Sequence, residues 1–302
     1  MHHRKLGQLL TKVDVPTNGS WEARLLFNFP QFFQKFLGMN EFRIDRLQQT
    51  GKGIEEIDRK SLRCDGHTFE LVIFREEDRY TMSIVRTDTD EVDCVTVFID
   101  EDLKYAILEN MYYDESCAKD GLKKPGGGTI LLNCITAYLM EHKDELGINR
   151  IVLRDNSHLS CPRCPHQLSL ARLRTVTEGD TWYGKHGFRP FNIDENIPDR
   201  KRIREYDHNR RMFRRLKSQS LVLIKMAQRA VYKYKLQHIN MTDLSEEINN
   251  AVEQNVRMKD LIKYLLRTDF DRYCCIVKYI LDKIFESDVL YDFHGTTFYL
   301  DL

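Results

Sequence analysis

Hydrophobic and polar positions in the first half of the chain follow two different periods. Four segments rich in β-branched and aromatic residues predict strands, and the links between them are short and polar. These segments are residues 68–75, 79–86, 92–99 and 104–113. This spacing favours an antiparallel meander.

The period changes after residue 128. Apolar residues recur every three or four positions over residues 129–146, which predicts an amphipathic helix closed by Gly147. Residues 149–154 then form a short apolar strand. A strand, a helix and a strand in succession make a crossover whose two strands lie parallel. We therefore predict an α/β (α+β) fold with a mixed, mostly antiparallel sheet flanked by helices.

Helical patterns dominate both ends of the chain. Residues 17–38 predict two short helices within an N-terminal helical part, residues 1–60. A charged linker near residue 195 runs into a basic helix from about residue 203. The sequence thus divides into a first domain, residues 1–195, and a mainly helical C-terminal module, residues 196–302.

The C-terminal module contains four further predicted helices and a closing strand. The helices are residues 218–237, 244–255, 259–266 and 270–285, and the strand is residues 295–300. Thr242-Asp243 and Thr268-Asp269 are expected as N-caps, because their side chains can accept hydrogen bonds from the first helical turn.

The turn between the meander and the first amphipathic helix is rich in glycine. It consists of Lys123, Lys124, Pro125, Gly126, Gly127, Gly128 and Thr129. Backbone N–H groups at a helix start can hold an anion, and glycine lets a pyrophosphate approach them closely. A flexible turn without a ligand is the alternative interpretation.

This turn resembles the glycine turn of the GNAT N-acetyltransferase superfamily, which binds the pyrophosphate of acetyl-coenzyme A. Lys123, Gly126 and Gly128 match the register of the family's Arg/Gln-x-x-Gly-x-Gly/Ala motif, with lysine in the first position. The resemblance implies a GNAT-like acetyl-coenzyme A-binding domain over residues 1–195. It also implies that the whole turn, from Lys123 and Lys124 to Thr129, binds the cofactor.

A second motif lies before residue 190. Tyr183-Gly184-Lys185-His186-Gly187-Phe188 resembles the Tyr-x-Lys-x-Gly-Phe ending of the same family. The resemblance implies that Tyr183 protonates the thiolate leaving group of the coenzyme. Aromatic packing at a helix end is the alternative.

The resemblance also implies two further site residues. Glu109, on the strand before the glycine turn, is the candidate base that accepts the amine proton, and Asn156 is the candidate contact to the pantetheine arm. Glu109 on a solvent-facing strand position and Asn156 as a helix cap are the alternatives. Residues 155–180 form an insertion relative to the family.

The insertion carries two cysteines that are candidates for zinc. Cys161 and Cys164 form a Cys-x-x-Cys pair flanked by His158 and His166, and all four are ligand types suited to this metal. However, four ligands within nine residues strain one tetrahedron, and a second Cys-x-x-Cys is missing. A redox pair and an ordinary loop remain alternatives, and we assign no metal site. Most of the eight cysteines are expected to be reduced and buried.

The formal net charge is zero, but thirteen Lys or Arg residues lie within residues 200–235. This segment is a candidate contact for nucleic acid or a protein partner. A solvated helix face is the alternative. No stretch is long and apolar enough for a signal peptide core or a membrane span, so we expect an intracellular protein, cytoplasmic or nuclear, without a membrane partner.

Together these features predict an N-acetyltransferase that moves an acetyl group from acetyl-coenzyme A to an amine by direct attack. The alternative is a non-catalytic GNAT-fold protein whose basic helical module holds nucleic acid or a protein. The acceptor amine is not defined by any motif.

Overall fold

A computed structural model describes residues 55–76, 79–88, 93–122, 126–161, 167–217, 220–253 and 257–302. The helices predicted within residues 17–38 lie outside these ranges. The described residues form two compact units. Residues 55–154 together with Tyr299–Leu302 make up the sheet unit, and Asp155–Phe298 make up the helical unit.

The sheet unit contains six strands in sequential order. They are β1 (Glu55–Cys64), β2 (His67–Glu76), β3 (Arg79–Val85), β4 (Asp93–Asp100), β5 (Tyr105–Met111) and β6 (Arg150–Arg154). Strands β1 to β5 form an antiparallel meander, and β6 lies parallel to β5. Helix α1 (Gly127–Glu141) makes the crossover between β5 and β6. This confirms the predicted mixed, mostly antiparallel sheet.

The core of the sheet unit lies on both faces of the central strands. Strand β4 buries four successive residues, 94–97, which point alternately to opposite faces of the sheet. Helix α1 packs against β1, β4 and β5 through a face that includes Leu131, Ile135 and Leu139. The helix ends at Glu141 with His142 as its C-cap, so the sequence prediction of a helix that continues to residue 146 and is closed by Gly147 was five residues too long.

The helical unit begins with short elements in the region that the sequence treats as an insertion. They are β7 (His158–Ser160), β8 (Gln167–Ser169), α2 (Leu170–Glu178), α3 (Trp182–Lys185), β9 (Arg189–Asn192) and β10 (Ile197–Pro198). Residues 155–180 therefore contain a hairpin and a capped helix. Residue 195, where the sequence places the domain boundary, lies between β9 and β10.

Five helices follow, and then the last strand. They are α4 (Arg200–Met212), α5 (Ser220–Tyr234), α6 (Met241–Glu253), α7 (Met258–Thr268), α8 (Phe270–Glu286) and β11 (Thr297–Asp301). Helix α8 is central, because α2, α5 and α7 all pack against it. Strand β11 starts in the helical unit, and its residues from Tyr299 onward belong to the sheet unit.

The two predicted N-caps have different outcomes. Asp269 caps α8, since its Oδ1 accepts a hydrogen bond of 3.0 Å from the Arg272 N–H. Helix α6 starts at Met241, so Thr242-Asp243 lie within its first turn. The Asn240 side chain accepts the hydrogen bond from the Thr242 N–H instead, at 2.9 Å. The sequence prediction, which starts this helix at residue 244, was therefore three residues late.

Two disulfide bonds correct the expectation that most cysteines are reduced. Cys94 is bonded to Cys117 in the sheet unit, and Cys161 to Cys274 in the helical unit. Their partners lie 23 and 113 residues apart in the chain. Only the fold brings such distant positions within bonding distance, so the spacing of cysteines along the sequence does not reveal them.

Candidate functional site

The candidate cofactor site of the sheet unit is built around the end of β5. Parallel pairing of β5 with β6 runs from Tyr105↔Arg150 to Leu108↔Leu153 and stops there, although β5 continues for three more residues. On its other side β5 remains paired with β4. Residues 109–111 of β5 are therefore not paired with β6. A ligand could insert between the two strands at this point.

Glu109 lies at a β-bulge at this opening. Thr96 of β4 pairs with Asn110 and Val97 pairs with Leu108, so Glu109 is the extra residue between them. A bulge re-aims the side chain that it displaces, and bulges are common next to active sites. Glu109 is exposed at this position.

The glycine turn leads directly into α1. Gly126 is the N-cap residue, with φ 110° and ψ −3°, a left-handed conformation that favours glycine. No side chain caps this helix, and its first turn contains no acidic residue. Its first N–H groups and the positive end of the helix dipole are thus suited to an anion. Lys123 and Lys124 lie outside the described residues.

Two glycines of the turn, Gly126 and Gly127, have different surroundings. A Cβ added at Gly126 would meet no atom within 4 Å, whereas one at Gly127 would lie 1.9 Å from Tyr113 Cε2. The Tyr113 hydroxyl donates a hydrogen bond of 2.9 Å to the Leu122 carbonyl. Burial raises the pKa of this tyrosine to about 12. Gly127 is therefore required by packing, and Gly126 by backbone conformation.

Tyr183 lies in the helical unit, on the short helix α3. Thr181 caps this helix, and its Oγ1 accepts a hydrogen bond of 3.0 Å from the Gly184 N–H. The Tyr183 ring makes edge contacts with Trp182 and Phe188, at centroid distances of 4.8 and 5.9 Å. Burial, and then the charge of Asp155, raise the pKa of Tyr183 well above its ordinary value. The phenol is therefore protonated at neutral pH.

Asp155, next to the predicted Asn156, is fully buried. Its Oδ1 accepts hydrogen bonds from the N–H and the hydroxyl of Ser157, and its Oδ2 has no hydrogen-bond partner. Burial raises the pKa of this carboxyl. The Asn156 side chain, by contrast, is exposed. Sequence reasoning missed Asp155, because nothing in the local pattern shows that a carboxyl after β6 is buried.

A second buried carboxyl lies beside the Tyr183 helix. Asp180 Oδ2 is 3.5 Å from Arg210 Nε, while Asp180 Oδ1 and the Tyr206 hydroxyl are both buried without a hydrogen-bond partner. Both atoms flank Gly184, where an added Cβ would lie 1.4 Å from Tyr206 Oη and 2.2 Å from Asp180 Oδ1. Burial raises the pKa of Asp180 to about 6.

The predicted site residues are thus distributed over both units. Glu109 and the turn from Gly126 to Thr129 belong to the sheet unit, where the bulge and the helix start occur on the same crossover. Asn156 and Tyr183 belong to the helical unit, where Tyr183 lies near Asp155.

The zinc hypothesis is corrected at one of its two cysteines. Cys161 forms a disulfide with Cys274, and a disulfide sulfur is not the thiolate that zinc requires. Cys164 lies outside the described residues. Within the described ranges, no group of three or more His, Cys, Asp or Glu side chains is arranged to hold a metal ion.

The basic segment, residues 200–235, divides between two helices with different environments. On α4, Arg202 pairs with Glu205 and Arg210 with Asp180, so part of its charge is balanced locally. The basic residues of α5 are exposed. None of the helices in the described part of the chain is long and apolar enough to cross a membrane.

Comparisons with known proteins gave no match to a protein family, to a curated protein or to a solved structure.

Proposed function

We propose that this protein is an acetyl-coenzyme A-dependent N-acetyltransferase of the GNAT type. The observation that carries the proposal is the left-handed Gly126 at the uncapped start of α1, the helix that follows the strand bulged at Glu109. The early end of the β5–β6 pairing adds a second supporting feature. The helix start at Gly126 supports the anion-binding turn that the GNAT resemblance implies, and the bulge and the opening beside β5 are additional observations from the structure.

The turn would bind the coenzyme through its backbone. N–H groups of Gly127, Gly128 and Thr129 would donate to the pyrophosphate, which the helix dipole also favours. The open space beside Gly126 is compatible with the close approach of a phosphate. Lys123 and Lys124 would add positive charge, and the pantetheine arm would extend toward the opening beside β5.

The chemistry would need one base and one acid. Glu109 would accept the proton of the attacking amine, directly or through water. The amine nitrogen then forms the new bond to the acetyl carbon while the carbon–sulfur bond breaks, and the GNAT resemblance assigns protonation of the departing thiolate to Tyr183. Burial keeps the Tyr183 phenol protonated, as a proton donor must be, but the raised pKa also makes it a weaker acid.

A second candidate is a GNAT-fold protein without catalysis. The close packing of Tyr183 against Trp182 and Phe188 favours it, because an aromatic residue fixed in this way can serve the core alone.

Calorimetric titration with acetyl-coenzyme A tests the proposal. We expect micromolar binding by the wild type and its loss in Gly126→Asp, Gly128→Asp, which places negative charge at the helix start. Gly66→Asp is the matched control, since Gly66 also has a positive φ, 80°, with no atom near its Cβ position, but lies in the β1–β2 turn. Equal binding by all three proteins would contradict the proposed site, and no binding by the wild type would contradict the enzyme.

Turnover separates the two candidates. A wild type that binds acetyl-coenzyme A and releases free thiol with an amine acceptor library supports the enzyme. Binding without thiol release across the library favours the non-catalytic protein.

A further inference from the structure

Helix α5 presents two contrasting faces in the helical unit. Its inward face buries Leu223, Ala227 and Ala230, and the helix packs against α8. Its outward face, here called the α5 face, consists of Lys225, Gln228, Arg229, Tyr232 and Lys233, all exposed. With Tyr279 of α8, these residues line a cleft of about 430 Å³.

The cations of the α5 face form a row with unbalanced charge. Lys225, Arg229 and Lys233 are four residues apart, so their Cα atoms are separated by about 6 Å along the helix axis. None of the three makes an ion pair with any residue in the described ranges. Such a row attracts a chain of phosphates.

The α5 face also exposes an aromatic ring. Tyr232 is 88% exposed, the highest value among the large hydrophobic residues of the described ranges. Lys233 Nζ lies 5.6 Å from the centroid of the Tyr279 ring, which forms part of the cleft wall. An exposed tyrosine between cations offers a flat surface on which a base can stack.

We propose that the α5 face binds single-stranded nucleic acid. Lys225, Arg229 and Lys233 would contact successive phosphates, and a base would stack on Tyr232. Single-strand-binding proteins combine these two elements, a positive groove and aromatic side chains, without reading the sequence. This function is independent of acetyl transfer.

Two other partners fit the surface less well. An anionic membrane binds helices that insert an apolar face, and the apolar face of α5 is already buried in the core. A duplex offers phosphates, but its paired bases cannot stack on a side chain such as Tyr232. Of these three partners, only single-stranded nucleic acid can contact both the cations and the Tyr232 ring.

Fluorescence anisotropy with labelled oligonucleotides of about 20 nucleotides, longer than a typical single-strand site, tests the proposal. RNA and DNA single strands and a matched duplex are titrated with the full chain between about 50 and 200 mM salt. We expect the single strands to bind more tightly than the duplex. Three phosphate contacts predict a slope of about −2 for log affinity against log salt.

Two variants separate charge from stacking. In the triple variant Lys225→Ala, Arg229→Ala, Lys233→Ala, we expect the affinity to depend much less on salt concentration. Tyr232→Ala is expected to weaken binding about tenfold with the slope unchanged, since stacking is not an ionic interaction. All four positions are exposed, so the fold should persist, which circular dichroism confirms.

Matched controls fix the location of the site. Tyr264→Ala removes another exposed tyrosine, on α7, and Lys201→Ala, Arg204→Ala, Arg211→Ala removes three exposed cations of α4. Both controls should bind like the wild type. The proposal is overturned if either control matches its α5 counterpart, if the duplex binds equally well, if the wild type does not bind, or if only vesicles of anionic lipid compete.

Discussion

The ring of Tyr113 lies against Gly127 at the first residue of α1, so that a methyl group on this glycine would overlap the ring. The Cβ position is 1.9 Å from Tyr113 Cε2 and 2.3 Å from Cδ2. The hydroxyl of the same tyrosine is held by the Leu122 carbonyl. Tyr113, two residues after the end of β5, therefore fixes the chain that leads into the glycine turn.

This contact predicts that Gly127→Ala destabilises the protein by about 2 kcal/mol, as overpacking does. A loss of stability would point to this contact, because alanine is favoured over glycine in a helix by about 1 kcal/mol when nothing obstructs it. Urea denaturation measures the difference. In a Tyr113→Ala background the same substitution should cost much less, and an unchanged cost there would show that the contact is not responsible.

Gly184 is enclosed even more tightly than Gly127. Gly184→Ala is expected to cost about 3 kcal/mol, because its Cβ would overlap Tyr206 Oη. Tyr206→Phe removes a buried hydroxyl without a partner, so it should leave stability unchanged or raise it. Thermal melts of the single and double variants give the coupling energy. If Tyr206→Phe is strongly destabilised, the Tyr206 hydroxyl must have a hydrogen-bond partner in solution.

Asp180 predicts a specific dependence of stability on pH. Burial raises its pKa from 3.8 to about 6, so its contribution to stability is full below about pH 4 and is lost as pH rises through about 6. Asp180→Asn removes this titration. The variant should gain about 2 kcal/mol relative to the wild type between pH 4 and pH 7. The exposed Asp194→Asn serves as a control, and parallel curves for both variants would refute the assignment.

The Cys94–Cys117 disulfide is expected to stabilise the sheet unit. It closes a loop of 23 residues, and the loop-entropy argument gives about 3 kcal/mol. The paired replacement Cys94→Ala, Cys117→Ala should lower the free energy of unfolding by about this amount. Peptide mapping without reductant provides the direct check. Alkylation of Cys94 before reduction would show that the bond is absent.

The two candidate catalytic side chains should have different kinetic signatures. Tyr183→Phe is expected to lower kcat about 100-fold with little change in the KM for acetyl-coenzyme A, because only protonation of the leaving group is lost. Glu109→Gln should lower kcat/KM most at low pH, where the amine is protonated. Steady-state pH profiles separate the two effects. Identical profiles for both variants would argue for a structural role.

Most strands and the helix of the sheet unit could be predicted because the order of apolar and polar residues along the chain follows the burial of their side chains. The segment predicted at residues 79–86 is β3, Arg79–Val85, and the apolar helix pattern marks α1. Strand β1 was missed because it is polar and mostly exposed, so it has no buried face to create alternation. The backbone hydrogen bonds to β2 stabilise it instead.

The parts of the candidate site that sequence reasoning missed all depend on three-dimensional proximity. The burial of Asp155, the contact of Tyr113 with Gly127 and the bond between Cys161 and Cys274 each join residues whose local patterns are unremarkable. The glycine turn could be found because its requirement is local. A backbone φ of 110° before a helix favours glycine whatever surrounds it.

The position of β11 in the chain determines when the sheet unit can be completed during synthesis. Strand β6 lies between β5 and β11, and Arg150 and Asn149 receive their partners from Asp301 and Leu302. Those residues leave the ribosome only after all of residues 155–298, roughly 7 to 30 s later at ordinary elongation rates. During that interval the nascent chain carries an apolar strand with an open edge, the kind of surface that recruits chaperones or other unfinished chains.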